Sequence, residues 1–144
     1  MWRELAERAF PEAGFRPPAP AASLDAAERR LGGPLPAALR DLLRETDGVT
    51  GPYGLDVVWS LEQVVEQNAE FRTDASFAEL YMPFDPLLFF GDNGGGDQFA
   101  FVRTPPADGV VVWDHETDAR FPVAPDLRSY LERAMPDGGD WYRD

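Results

Sequence analysis

Apolar positions in the first half of the chain recur with the spacing of helices. Leu5, Ala6, Ala9 and Phe10 fall on one side of a short helix predicted over Trp2–Phe10. Pro11 stops it, and Pro17, Pro18 and Pro20 make an extended connector. Ser23 reads as the N-cap of a helix from Leu24 to about Leu31, closed by Gly32-Gly33. A second helix is expected to start near Pro34–Pro36, where proline suits a first turn, and to end at Asp47-Gly48. Its Leu35, Leu39, Leu42 and Leu43 share a face, which makes a helical hairpin with a two-glycine corner. Leu55–Trp59 is a short strand, and Ser60 with Gln63 has the spacing of a capping box opening another helix. Leu61, Val64, Val65 and Asn68 share the inner face of that helix, while Glu62, Glu66 and Glu70 share another. Residues 73–86 read as irregular, apart from one helical turn at Ser76–Leu80.

The period changes in the second half. Leu87–Phe90 is a continuous apolar run of the kind buried strands show. Gly91–Asp97 holds four glycines in seven residues, which fits a loop and nothing regular. Strands follow at Phe99–Val102, Val110–Asp114 and Arg120–Val123, separated by turns at Pro105–Gly109 and Thr117-Asp118. Turns so short exclude parallel crossovers. Asp126 opens a last helix carrying Leu127, Tyr130, Leu131 and Met135. The tail over Asp137–Asp140 is expected to be mobile, with Trp141 and Tyr142 docking back. The aromatics Trp59, Phe89, Phe90, Phe99, Phe101 and Trp113 all lie on strands and read as core. The expected architecture is α+β: a single domain over 1–144, with helices packed on a mainly antiparallel sheet of about four to six strands.

Composition narrows the chemistry. The chain has no cysteine, so disulfides, thiolate metal sites and cysteine nucleophiles are excluded. Met1 leads directly into Trp2-Arg3-Glu4-Leu5, and no run approaches the ~20 apolar residues of a membrane span, so a cytoplasmic location is expected. All 13 cations are arginine, and both lysine and isoleucine are absent, a usage that points to a bacterium with a GC-rich genome.

The net charge of −13 is uneven. Residues 1–46 carry seven acids and seven arginines, whereas residues 47–118 carry fourteen acids against Arg72 and Arg103 alone. Such a field repels nucleic acid and anionic membrane and favours a cationic partner, although an acidic surface also serves plain solubility. Like charges four residues apart cost a helix about 0.2–0.5 kcal/mol each, so Glu62, Glu66 and Glu70 mark either a solvated face or a surface held for a partner.

No catalytic pattern stands out. The glycine loop lacks the lysine of a phosphate cradle. Asp92, Asn93 and Asp97 offer oxygens to calcium, but without EF-hand spacing. A tight structural connection, with aspartates bonding local amides, accounts for the same residues. His115 is the lone histidine, with no Gly-x-Ser-x-Gly elbow to serve and no zinc spacing around it; a hydrogen-bonded strand end accounts for it. Neither a catalytic residue, a metal ligand nor a cofactor is assigned. Asn68 on an apolar stripe reads as a buried amide tying backbone to the helix.

Several of these signals occur in a familiar order. Ala27-Glu28-Arg29-Arg30-Leu31-Gly32-Gly33-Pro34-Leu35-Pro36, followed by Leu39, Leu42, Leu43 and Asp47-Gly48, resembles the opening of the SUKH superfamily. Gly54–Trp59 with Ser60-Leu61-Glu62 and Asn68 is similar to its strand and following helix. Leu87–Phe99 resembles its central glycine-rich signature, Val111–Glu116 the strand after it, and Asp126–Leu131 the final helix. The resemblance covers about residues 23–131; residues 1–22 and the tail 136–144 lie outside it. Pro125-Asp126-Leu127 departs from the family's usual Ser-Phe.

The resemblance implies a sheet-and-helix fold and a non-enzymatic, protein-binding role. Many bacterial members are similar to immunity proteins that neutralise polymorphic toxins by direct contact, and fungal relatives to regulators of cell-wall synthesis. The expected partner is a basic, nuclease-like toxin domain, met by Glu62, Glu66, Glu70, Asp92, Asp97, Asp114 and Glu116. A regulatory or scaffolding adaptor is the competing reading, and an enzyme or carbohydrate-binding domain using its carboxylates the third.

Overall fold

Helical spacing folds the start of the chain into α1 (Trp2–Ala9), α2 (Ala21–Leu31) and α3 (Ala37–Glu45), as seen in a computed structural model that describes residues 1–137 and 139–143. The start of α2 differs from expectation. Pro20, not Ser23, is its N-cap, and the Pro20 carbonyl already accepts from the Ser23 and Leu24 amides. The proline ring presets the backbone there, and Ala21 and Ala22 extend the helix a turn earlier than a Ser23 cap allows. The second helix of the hairpin follows Pro36 as expected.

Two two-residue strands escaped the periodicity, since neither is long enough to alternate: β1 (Gly14–Phe15) and β2 (Val49–Thr50). With β3 (Asp56–Val58) they form an antiparallel sheet in the order β1-β2-β3. The capping box forms as read: Ser60 and Gln63 cap each other's backbone at the start of α4 (Leu61–Thr73). The helical turn expected at Ser76–Leu80 is α5 (Ala75–Leu80), N-capped by the Asp74 carboxylate on the Ser76 amide.

The second sheet is antiparallel in chain order: β4 (Leu87–Asp92), β5 (Gln98–Arg103), β6 (Pro106–Trp113) and β7 (Arg120–Ala124). Among the described residues it is one of two antiparallel sheets, of three and four strands, where a single sheet of about four to six was expected. Two connections are tighter than predicted. Gly91 and Asp92 belong to β4, opposite Phe99 and Gln98, so the glycine loop begins only at Asn93. Arg103 faces Pro106, so the turn there contracts to Thr104-Pro105. Helix α6 (Leu127–Asp137) packs against α1 and onto β6 and β7. Of the tail read as mobile, Asp137 ends α6 and Gly138 lies outside the described residues. Trp141 does dock, stacking on Phe99 at 5.4 Å.

The aromatic strand residues are core. Trp59, Phe89, Phe90, Phe99, Phe101 and Trp113 are all buried, and Phe90 stacks on Phe101 at 4.7 Å. The two sheets meet where the Trp59 amide donates to the Phe90 carbonyl (2.7 Å). Beside that junction the Tyr130 hydroxyl donates to the Val57 carbonyl (2.6 Å). A Cβ on Gly91 would lie 2.2 Å from that same carbonyl oxygen, so only glycine lets β3, β4 and α6 come this close.

Candidate functional site

Helix α4 runs antiparallel to β4 and is fastened to it along its length. Trp59, just before it, donates its indole N–H to Asp92 (2.7 Å) at one end of the strand. In the middle, Asn68 donates Nδ2–H to the Val64 and Phe89 carbonyls (2.7 and 2.9 Å) and accepts from the Phe89 amide (2.8 Å). Asn68 is therefore the buried amide tie that the sequence suggests, with a core strand as its partner. At the far end Arg72 donates to the carbonyls of Leu87 and Leu31. With Leu61, Val64, Val65, Asn68 and Phe71 turned inward, Glu62, Glu66 and Glu70 lie exposed on the outer side. None of the three forms an ion pair among the described residues.

The other acidic group sits at the end of the second sheet. Register places Asp92 beside Gln98 and Gln98 beside Trp113, so Asp92, Asp97, Asp114 and Glu116 cluster around one end of β4, β5 and β6. The loop between β4 and β5 is held by its own side chains. Asp92 accepts from the Gly94 amide (2.8 Å), and Asn93 Oδ1 accepts from the amides of Gly95 and Asp97 (2.8 and 3.1 Å). Oxygens of Asp92 and Asn93 that a calcium loop would use are thus engaged by local amides, and Asp92 also accepts from the Trp59 indole.

Asp97 is the hub of this end. Its carboxylate is 1 % exposed. One oxygen accepts from the His115 amide (3.2 Å) and lies 2.5 Å from His115 Nδ1; the other accepts from the Tyr142 hydroxyl (2.5 Å) and Arg143 Nη2 (2.6 Å). Burial pushes the Asp97 carboxyl up, but the bonds from Tyr142, His115 and Arg143 outweigh it and bring it down to about 2. Burial and the bond to Asp97 push the Tyr142 hydroxyl up to about 12. The loop closes over the histidine: Gly96 has φ +111°, and a Cβ there would lie 2.8 Å from the His115 ring.

This geometry corrects one expected contact. Asp97 is sealed inside the protein and spends both oxygens on internal donors, so it is not available to a partner as the exposed Glu116 is. Asp92 and Asp114 are half-buried. Ligand atoms of Asp97, Asp114 and His115 lie within 4.8 Å of one another, yet a cation between them would have to displace the donors already on Asp97. Docking of Tyr142 is legible in its apolar ring; Arg143 as a second partner of Asp97 has no local signal and was missed. A cavity of about 440 Å3 lies between the Gly32–Ala37 corner and the β5–β6 turn, with Arg103 and Asp108 its only ionisable lining residues.

The family model described as SMI1 / KNR4 family (SUKH-1) matches residues 18–133. No curated protein matches the chain. With a single family description spanning the helical hairpin, β2 to β7 and most of α6, the chain belongs to the SMI1 / KNR4 family (SUKH-1).

Proposed function

We propose that this protein is a non-enzymatic, cytoplasmic binding domain, an immunity protein that neutralises a basic, nuclease-like toxin domain by direct contact. The observation that carries the reading is the disposition of charge between residues 47 and 118. Glu62, Glu66 and Glu70 stand exposed without ion pairs among the described residues, while Arg72 and Arg103 direct their guanidinium groups inward at backbone carbonyls. Exposed carboxylates repel phosphate backbones and attract the basic surfaces with which nucleases hold them. No described helix is long and apolar enough to cross a membrane.

A catalytic reading has less support. Asp97 orients His115 through Nδ1 as a triad aspartate does, but no hydroxyl among the described residues is hydrogen-bonded to His115 Nε2. The experiment is the association rate with the toxin domain that the reading expects to be encoded beside this chain, measured against ionic strength. The rate should fall steeply as the screening length shortens from about 10 Å at 0.1 M to about 3 Å at 1 M salt. A rate that stays flat overturns the reading. A gene neighbourhood with no toxin would favour a regulatory or scaffolding adaptor instead.

A further inference from the structure

The chain passes from β2 to β3 through a tight turn. The Leu55 amide donates to the Pro52 carbonyl (3.1 Å), and the Gly51 amide to the Leu55 carbonyl (2.8 Å). The two central residues are both left-handed: Tyr53 at φ 61°, ψ 23° and Gly54 at φ 73°. This is the type I′ geometry, whose twist matches that of paired strands and whose preferred central pair is Asn-Gly. Asparagine suits the first position because its short polar side chain eases the left-handed conformation; tyrosine has no such relief.

The fold recovers nothing for this choice. Tyr53 is 99 % exposed, and among the described residues its side chain makes no hydrogen bond, aromatic contact or cation–π contact. A large ring is held in solvent, on backbone that disfavours it. Strained backbone of this kind concentrates at functional positions, and tyrosine is among the residues that most often anchor protein interfaces.

The surroundings indicate what the ring would meet. Asp56 pairs with Thr50 just inside the turn. Leu55 packs against Gly94, 3.1 Å from where a Cβ would stand, and Asp92 holds Gly94 in place. The arginines of the acidic stretch are at the opposite end of β4 and β5, on the Leu87, Asp85 and Leu31 carbonyls, and Arg143 is bound to Asp97. An electron-rich ring exposed on a stretch with fourteen acids and two inward-turned arginines suits a guanidinium or ammonium group laid on its face.

We propose that Tyr53 is the anchor of the partner interface and that it packs against an arginine or lysine on a basic protein surface. The inference rests on the binding role proposed above and names the residue that fixes the partner once it has arrived. The test compares Tyr53→Asn and Tyr53→Phe with the unaltered protein and with the Glu62/Glu66/Glu70 charge reversal, using the toxin domain encoded beside this chain. Tyr53→Asn should raise the folding equilibrium constant several-fold, seen as a higher urea midpoint, because it restores the preferred turn pair. It should also weaken binding by about tenfold or more, mainly through faster dissociation, while Tyr53→Phe stays within about threefold. A Tyr53→Asn variant less stable than its parent would show that the ring serves the fold and would overturn the proposal. Undiminished binding by Tyr53→Asn, beside slowed association in the charge reversal, overturns the anchor and leaves the acidic interface standing. Absence of binding by the unaltered protein overturns both.

Discussion

Arg72 and Arg103 aim their guanidinium groups at one carbonyl, that of Leu31, from 3.1 and 2.9 Å. Leu31 is the last residue of α2, where helix carbonyls lack partners and the dipole is negative. Each arginine also reaches a second carbonyl, Leu87 for Arg72 and Asp85 for Arg103, so the pair laces α2 to the second sheet. Burial, and then the neighbouring Arg103 charge, lower the Arg72 pKa. These are the two cations of the acidic stretch, and both are committed to backbone, which leaves the carboxylates on α4 to face solvent unneutralised.

Reversing that surface should slow encounter without unfolding the protein. With Glu62, Glu66 and Glu70 all changed to Lys, association with the toxin domain is expected to slow at least about tenfold at low salt. Stability should stay within about 0.5 kcal/mol, because all three positions are exposed and the like-charge spacing is unchanged. Glu66→Lys alone turns two like-charge pairs into two attractive ones and should stabilise by about 1 kcal/mol in urea unfolding.

Asn68→Ala should be far more damaging. It removes three hydrogen bonds and strands the Phe89 amide and carbonyl in the interior. Groups left buried and unpaired cost about 1–3 kcal/mol each, so a loss of ~3 kcal/mol is expected, with the urea midpoint falling at constant m-value. A change below ~1 kcal/mol would mean that water replaces the amide.

Acid should weaken the fold through Asp97. Its pKa is about 2 in the folded protein against an ordinary 3.8, so the folded state binds the proton less well than the unfolded chain. The stabilisation is complete above the ordinary value and is lost as pH falls from about 5 towards 2, amounting to ~2 kcal/mol. Asp97→Asn should lower stability at neutral pH and flatten this part of the pH profile, as urea midpoints across that range would reveal.

Gly96 and His115 form a coupled pair. Gly96→Ala places a Cβ against the imidazole and forces an L side chain to φ +111°, for a loss of about 1–3 kcal/mol. In a His115→Ala background the collision disappears and only the backbone cost remains. The double-mutant cycle should therefore show coupling of about 1 kcal/mol; additivity would mean that the ring moves aside freely.

Features written in neighbouring residues were legible in the sequence. The α4 cap needs only Ser60 and Gln63, and the Asn68 tie shows as one polar residue on an apolar stripe. Strands β4 to β7 announced themselves as apolar runs between turns, whereas β1 and β2 are too short to carry a pattern. The Asp97 hub was not legible, because its partners lie 18, 45 and 46 residues away and a carboxylate's burial depends on them. Asp97 consequently read as one more surface acid. The strained turn was equally silent, since Tyr-Gly between strands does not disclose that the ring finds no packing.

The hub also has a consequence during synthesis. Asp97 leaves the ribosome 45 residues ahead of Tyr142, so for that interval its carboxylate lacks two of its donors and Phe99 lacks the cover of Trp141. The nascent chain can assemble its helical hairpin early, as domains begin to form from the N-terminal side. It cannot seal the end of its second sheet until residues 141–143 arrive. A product interrupted before them would expose an aromatic face and a half-satisfied buried charge, the kind of species that proteases remove first.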